Sequence, residues 1–286
     1  MTRLQTRGLF FETGSYGNPA HPAKLMIRGL GSQLIDWPHT LIDGLEASGL
    51  FVVVFDNRDA GLSQKMTAPE NQAYDMSDMA QDCLDILDAL DIERAHVLGI
   101  SMGGLITQVL LAQSADRFLT ATIVMSSIYN ASLQDCLGSD VLLDPPKPTG
   151  DVRALLDEAL EADAFYEGPS FPIPYTKRAE NVRQRYERSY CPDGQKRQLA
   201  AMKRSQFDPK KLANCEVPSL IIHGDHDVIF PAIQAKKIAQ AIPNSKFQPI
   251  SGMGHEISDD LGALIAGHVV NHFQASRVED AHVATH

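Results

Sequence analysis

Short apolar runs recur along this chain, separated by segments whose apolar positions return every three or four residues. The runs at 24–27, 51–55, 95–100, 120–125, 219–222 and 246–250 are too short for buried helices and too continuous for half-exposed strands. They predict strands covered on both faces. Between them, residues 75–90 carry Met76, Met79, Ala80, Cys83, Leu84, Ile86, Leu87 and Leu90 at helical spacing, with Asp78, Asp82, Asp85 and Asp88 expected to face water. Another helix is expected after Asp36-Trp37-Pro38, ending near Gly49, and a last amphipathic one over about 259–273, followed by a polar tail. Residues 4–13 alternate loosely and then meet the turn-rich 14–19, which predicts an antiparallel hairpin at one edge of the sheet. Strands that alternate with helices define an α/β fold built on a mostly parallel sheet.

The alternation stops after Ser127. From 128 to 209 the pattern holds no buried strand; Pro145, Pro146, Pro148, Pro169, Pro172 and Pro174 punctuate helical segments at 151–164 and 178–190. An insertion this long inside an α/β domain reads as a lid or cap. The expected organisation is a core in two parts, 1–127 and 210–274, a helical cap insertion at 128–209, and a flexible C-terminal tail at 275–286.

Charge refines the picture. The net charge of −11 argues against nucleic acid as a partner, because phosphate binding needs an excess of lysine and arginine. Within that acidic chain, residues 177–211 hold eleven basic residues against four acidic ones. Such a stretch reads as a solvated helical face, a contact with an acidic surface of the same or a second chain, or a basic rim for anionic substrates. Cys83, Cys136, Cys191 and Cys215 lack C-x-x-C spacing, so no zinc site or disulfide framework is indicated and reduced thiols in a cytoplasm are expected. No apolar run reaches the roughly 20 residues of a membrane helix, so no membrane partner is expected.

The candidate chemistry starts at Gly99-Ile100-Ser101-Met102-Gly103-Gly104, where a buried run meets a helix-like pattern. This is the G-x-S-x-G elbow, a turn so tight that Gly99 and Gly103 are needed for the backbones to pass, which pushes the Ser101 hydroxyl out of the sheet. The N–H of Met102, at the start of a helix, is placed to stabilise negative charge. Arg28-Gly29-Leu30-Gly31-Ser32 forms a second turn directly after a strand, the position of another oxyanion donor when an elbow serine follows.

Two late loops leave strand ends on the same edge: His223-Gly224-Asp225-His226-Asp227 and Gly252-Met253-Gly254-His255-Glu256. A serine hydroxyl is a weak nucleophile until a neutral imidazole takes its proton, and the imidazole needs a carboxylate to fix its tautomer. His255 suits the base, with Asp227 as acid and Asp225 as the rival. His223, Asp225, His226 and Asp227 also compose a metal-ligand set, but no second group of ligand spacing exists to complete it, and no metal is expected. His96, inside the elbow strand, reads as a hydrogen-bonded core residue. The dense charges Asp56, Arg58 and Asp59 after the 51–55 run read as an internally bonded Asp–Arg turn.

These segments together resemble the α/β-hydrolase superfamily. Residues 34–38, 55–63 and 95–103 are most similar to its aclacinomycin methylesterase-like branch, and the likeness covers 4–127 and 210–273. The resemblance implies an eight-stranded, mostly parallel sheet flanked by helices, a helical cap, and hydrolysis of a small-molecule carboxylic ester through an acyl-enzyme without a cofactor. Carried over by position, it makes Ser101 the nucleophile, His255 the base, Asp227 the acid through Gly224-x-x-Asp227-x-x-x-Pro231, and the N–H groups of Leu30 and Met102 the oxyanion hole. Arg28 departs from the histidine that many members carry before the glycine. A perhydrolase, lactonase or C–C hydrolase using the same triad, and a non-catalytic binding protein of this fold, stay open, as do monomer and homodimer. With His255 as base, acyl transfer is expected to fall as pH drops through its titration.

Overall fold

The sequence begins with β1 (Thr2–Gln5) and β2 (Phe10–Tyr16), and the apolar runs then become β3 (Ala23–Ile27), β4 (Phe51–Phe55), β5 (Ala95–Ile100), β6 (Phe118–Val124), β7 (Ser219–Gly224) and β8 (Ser245–Ile250). The structure, a computed structural model, describes residues 1–68, 73–129, 136–137 and 151–283, with side chains as far as 276. The prolines expected to break the chain at 145, 146 and 148 lie outside the described residues.

The strands form one eight-stranded sheet in the order β1-β2-β4-β3-β5-β6-β7-β8. The β1-β2 and β2-β4 pairings are antiparallel and the other five are parallel. The expected edge hairpin is present, and β2 runs on through the glycine-bearing end of its sequence because Thr13 to Tyr16 pair with β4.

Side-chain alternation explains why the runs look continuously apolar. On β3, Leu25 and Ile27 join one core layer and Met26 the other; on β4, Val53 and Phe55 face one way and Val52 and Val54 the other. Each layer is closed by helices. On one face lie α2 (Met76–Ala89), α3 (Met102–Gln113) and α7 (Ala232–Ala241), and on the other α1 (His39–Ala47) and α8 (Asp259–Val283). Burying each large aliphatic side chain contributes about 1.5–3 kcal/mol, so the two layers together carry the fold. α2 begins at Asp75, whose side chain accepts from the N–H groups of Ser77 and Asp78 in a capping box.

Two of these expectations differ. Asp82 does not face water: it is buried on α2 and takes a bidentate bond from Arg58, with both N···O distances 2.6 Å. Helical spacing placed it among the other aspartates, but the loop after β4 reaches over that face. The last helix does not end near Phe273; α8 continues to Val283 through residues expected as a tail. His96, by contrast, is buried as expected and lies 2.8 Å from Thr120 Oγ1.

Between β6 and β7 come α4 (Val152–Phe165), α5 (Tyr175–Ser189) and α6 (Pro192–Arg204). The first two match the expected helical segments. α6 was not expected, because its inward side includes Gly194 and Gln198 beside only Leu199, Ala201 and Met202. A helix held by polar contacts gives a weak apolar period.

Candidate active site

Ser101 sits at the end of β5 with φ of 53°, one of four non-glycine residues of positive φ among the described residues. A left-handed serine costs on the order of 1 kcal/mol or more and persists only where its surroundings fix it. Here they do. A Cβ on Gly99 would collide with the carbonyl oxygen of Gly103, and a Cβ on Gly103 with that of Ile27 on β3. Ser126 Oγ donates to the carbonyl of Ser101 at 2.8 Å, and the N–H groups of Gly104 and Leu105 donate to the same oxygen. The first turn of α3 thus closes back onto Ser101, leaving the N–H of Met102 at the open end of a helix.

The turn after β3 lies against this corner. A Cβ built on Gly29 would stand 3.2 Å from Ser101 Cβ and 3.6 Å from its Oγ, so the backbone that leads into Leu30 passes directly beside the hydroxyl. Asn57 Nδ2 donates to the carbonyl of Arg28 at 3.2 Å and steadies the turn from β4's side.

From the other strands the late loops arrive as expected. His255 Nε2 is 2.9 Å from Ser101 Oγ, and His255 Nδ1 is 2.8 Å from Asp227 Oδ2. The other carboxylate oxygen of Asp227 accepts from the N–H groups of Ile229 and Phe230, each at 2.9 Å. Burial by itself would push this carboxyl up, but His255 and those bonds outweigh it and hold it below the usual carboxylate range. It is the anion a histidine partner requires. The His255 N–H donates to the carbonyl of Tyr166 at 2.7 Å, and Phe230 meets the imidazole edge to face with 5.7 Å between ring centres.

Asp225, the rival acid, goes elsewhere. It is exposed, binds His226 Nδ1 at 2.7 Å and accepts from the Gly252 N–H at 2.6 Å, bonds that hold its carboxyl at about 2. It braces the two late loops against each other. His223 donates from Nε2 to the carbonyl of Phe230 at 2.8 Å, and burial pushes its imidazole down despite the nearby Asp227. The four residues that composed a ligand set in sequence are therefore spent on separate bonds. Among the described residues no group of three or more His, Cys, Asp or Glu is placed to hold a metal ion.

A cavity of about 800 Å³ opens over Ser101 and His255, walled on one side by the turn at 28–33 and on the other by α4, α5 and α6. Polar contacts that sequence reading did not foresee join the two walls. Gly31 donates its N–H to Gln198 Oε1 on α6 at 2.8 Å, and Gln198 Nε2 donates to the carbonyl of Arg58 at 2.7 Å. Gln33 donates to the carbonyls of Arg185 and Ser189 near the end of α5 and accepts from Arg188.

The basic stretch does the same work with charge. Arg197 pairs with Asp59 at 2.6 Å, and Arg188 stands 2.8 Å from Asp56. Arg185 pairs with Asp36 and Asp163, and Arg178 with Glu167 and Glu256. Of the three readings of this stretch, contact with an acidic surface of the same chain describes these four arginines. The turn at 56–63 is hydrogen-bonded within itself, with Leu62 N–H and Ser63 Oγ donating to Asp56, but its charges do not pair with each other: Asp56 also accepts from the Leu34 N–H, and Arg58 turns to Asp82.

A mostly parallel sheet with a serine elbow at its centre and an Asp–His pair on two neighbouring strand ends defines a class. Residues 25–260 match the sequence model of the alpha/beta hydrolase fold, and the chain belongs to that family. It is similar to the rhodomycin D methylesterase DauP of a Streptomyces species, with 25% identity over 92% of this chain and 94% of that protein. This supports the resemblance to the methylesterase branch. It is also similar to the 3-oxoadipate enol-lactonase 1 of Acinetobacter baylyi, 28% identical over 70% of each chain. Among solved structures, a meta-cleavage product hydrolase from Pseudomonas fluorescens superposes with a TM-score of 0.77 over 96% of this chain and 98% of that one, at 19% identity. No helix among the described residues is long and apolar enough to cross a membrane.

Proposed function

We propose that the protein is a serine hydrolase of small-molecule carboxylic esters that works through an acyl-enzyme without a cofactor. The observation that carries this reading is the continuous relay from Ser101 Oγ through both nitrogens of His255 to the buried carboxylate of Asp227, at 2.9 and 2.8 Å. His255 Nε2 takes the Ser101 proton as Oγ attacks the ester carbonyl, and Asp227 stabilises the imidazolium that forms. The N–H groups of Leu30 and Met102 receive the developing oxyanion. The imidazolium then protonates the departing alcohol, and water, activated by the same histidine, releases the acid. The inserted helices α4 to α6 act as the cap, with the acyl part beneath them. The similarity to a methylesterase supports an open-chain ester. A lactone is a second reading, favoured by the enol-lactonase relative, and needs no different step because its leaving alcohol stays attached to the acyl group.

The acidic balance supports a protein without a nucleic-acid partner, and the unbridged cysteines fit a cytoplasmic enzyme; we place no membrane among its partners and take it to work as a monomer or a homodimer. The test is hydrolysis of p-nitrophenyl esters of increasing acyl length by the native protein and by Ser101→Ala, with the initial burst recorded. A burst in the native protein and loss of nearly all turnover in the variant is expected. A fluorophosphonate that fails to label Ser101, with no ester turned over, would replace this reading with that of a small-molecule-binding protein.

A further inference from the structure

Two N–H donors on the cavity wall are buried and unbonded: Nε of Arg28 and Nε1 of Trp37. They belong to one patch, since the guanidinium carbon of Arg28 stands 4.7 Å from the centre of the Trp37 ring. Buried donors without an acceptor are rare, because each has given up its water without replacement. Neither atom has an accessible face of its own, so what a ligand on this wall meets is the half-buried guanidinium of Arg28, held against the Trp37 ring.

The nearby carboxylates do not supply it. Asp36 accepts from the Gln33 N–H at 2.7 Å and pairs with Arg185, Asp163 pairs with Arg185, and Glu256 pairs with Arg178 at 2.8 Å. They lie close enough for Arg28 to feel their charge, yet among the described residues Arg28 forms no ion pair with any of them. Arg28 is thus the cation of this cluster that is left to a ligand. A guanidinium stacked on an indole keeps its charge and offers its edge to a planar acceptor, the geometry that suits a carboxylate.

The patch is also next to the chemistry. Arg28 directly precedes Gly29, whose backbone lies against Ser101. A group held there would be joined by a few carbons to the carbonyl received by the same turn.

Resting on the ester-hydrolase reading above, we infer that Arg28 and Trp37 form a carboxylate subsite, and that the substrates are half-esters of dicarboxylic acids whose free carboxylate docks there. The test uses p-nitrophenyl half-esters of succinic, glutaric and adipic acid, each against the neutral ester in which an isopropyl group replaces the carboxylate. The native protein is expected to favour at least one charged ester in kcat/KM. Arg28→Met is expected to cut that charged-to-neutral ratio about 10- to 100-fold, chiefly through KM, with Arg28→Lys keeping part of it. Trp37→Leu, which removes the ring that the Arg28 guanidinium lies over, is expected to cut it by a smaller factor. An equal ratio in native protein and Arg28→Met, with Ser101-dependent hydrolysis of the neutral esters intact, overturns the subsite while leaving the ester reading in place.

A binding measurement separates the reverse case. Free succinate, glutarate or adipate is expected to raise the melting temperature of Ser101→Ala protein, and not that of the Ser101→Ala, Arg28→Met double variant. Equal shifts in the two proteins, or none, overturn the subsite whatever the chemistry at Ser101 proves to be.

Discussion

Gly31, in the turn that flanks Ser101, donates its backbone N–H to Gln198 of α6 across 2.8 Å, although 167 residues separate them in the chain. Because Gln198 also holds the carbonyl of Arg58, one buried amide fixes the height of α6 over two core loops. Gln198→Leu would leave a part-buried donor and a buried acceptor without partners. A stability loss of about 1–3 kcal/mol is expected, together with a fall in kcat as the turn loosens. Denaturant melts and single-turnover acylation check this; unchanged acylation in a destabilised variant would mean that the turn keeps its place without α6.

Arg197 and Asp59 make the charged counterpart of that contact. The Asp59 carboxylate is fully buried and also accepts from the Met66 N–H and Tyr74 Oη, each at 2.9 Å. Arg197→Met strands a buried charge and is expected to cost about 3 kcal/mol. Adding Asp59→Asn should restore part of the loss, and a double-mutant cycle by urea denaturation measures the coupling. Strict additivity would remove the pair from the forces that hold the inserted helices.

Lys24 is buried inside the sheet, with Thr122 Oγ1 at 3.5 Å from its Nζ, and burial lowers its ammonium from 10.5 to about 7. Between those two values the unfolded chain binds a proton that the folded chain refuses. Stability therefore drops as pH falls from about 10.5 towards 7 and levels off below. Lys24→Met is expected to be more stable than the native protein at pH 7 by ~2 kcal/mol, with the gap closing towards pH 10. Urea midpoints at pH 7, 8.5 and 10 decide it, and a gap that widens with pH has the wrong sign.

Glu256 follows His255 directly, and burial, reinforced by Asp163, raises its carboxyl to about 7 against the pull of Arg178. A raised carboxyl stabilises the fold below its ordinary range, and that contribution disappears as pH rises through 7. Between pH 5 and 8 the native protein should lose roughly 1–2 kcal/mol relative to Glu256→Gln. Parallel stability curves for the two proteins over that range would mean that Glu256 stays ionised throughout.

Legibility divides along the chain's own scale. Six strands and the residues Ser101, Asp227 and His255 could be read from short local patterns, because a strand buried on both faces and an elbow bounded by Gly99 and Gly103 leave their marks within a few residues. The choice between Asp225 and Asp227 was harder, since both stand in one loop and only the path of the chain decides which carboxylate meets His255 and which meets Gly252. α6 and its contacts were illegible. Arg197 and Asp59 are 138 residues apart, and nothing in the composition of either neighbourhood says that they pair. Asp82 misled for the same reason, as its partner Arg58 comes from a different element.

The thin apolar lining of α5 has a consequence for folding. That helix buries only Arg178 and Val182, and α4 only Leu155. A peptide cut from 151–204 would have too little oily surface to collapse upon itself and would stay unstructured in isolation. Arg188 and Arg197 find their carboxylates on the loop after β4, and Arg178 and Arg185 divide theirs between Glu167 and Asp163 of the same segment and Glu256 and Asp36 of the core, so these helices take their order from the core they cover.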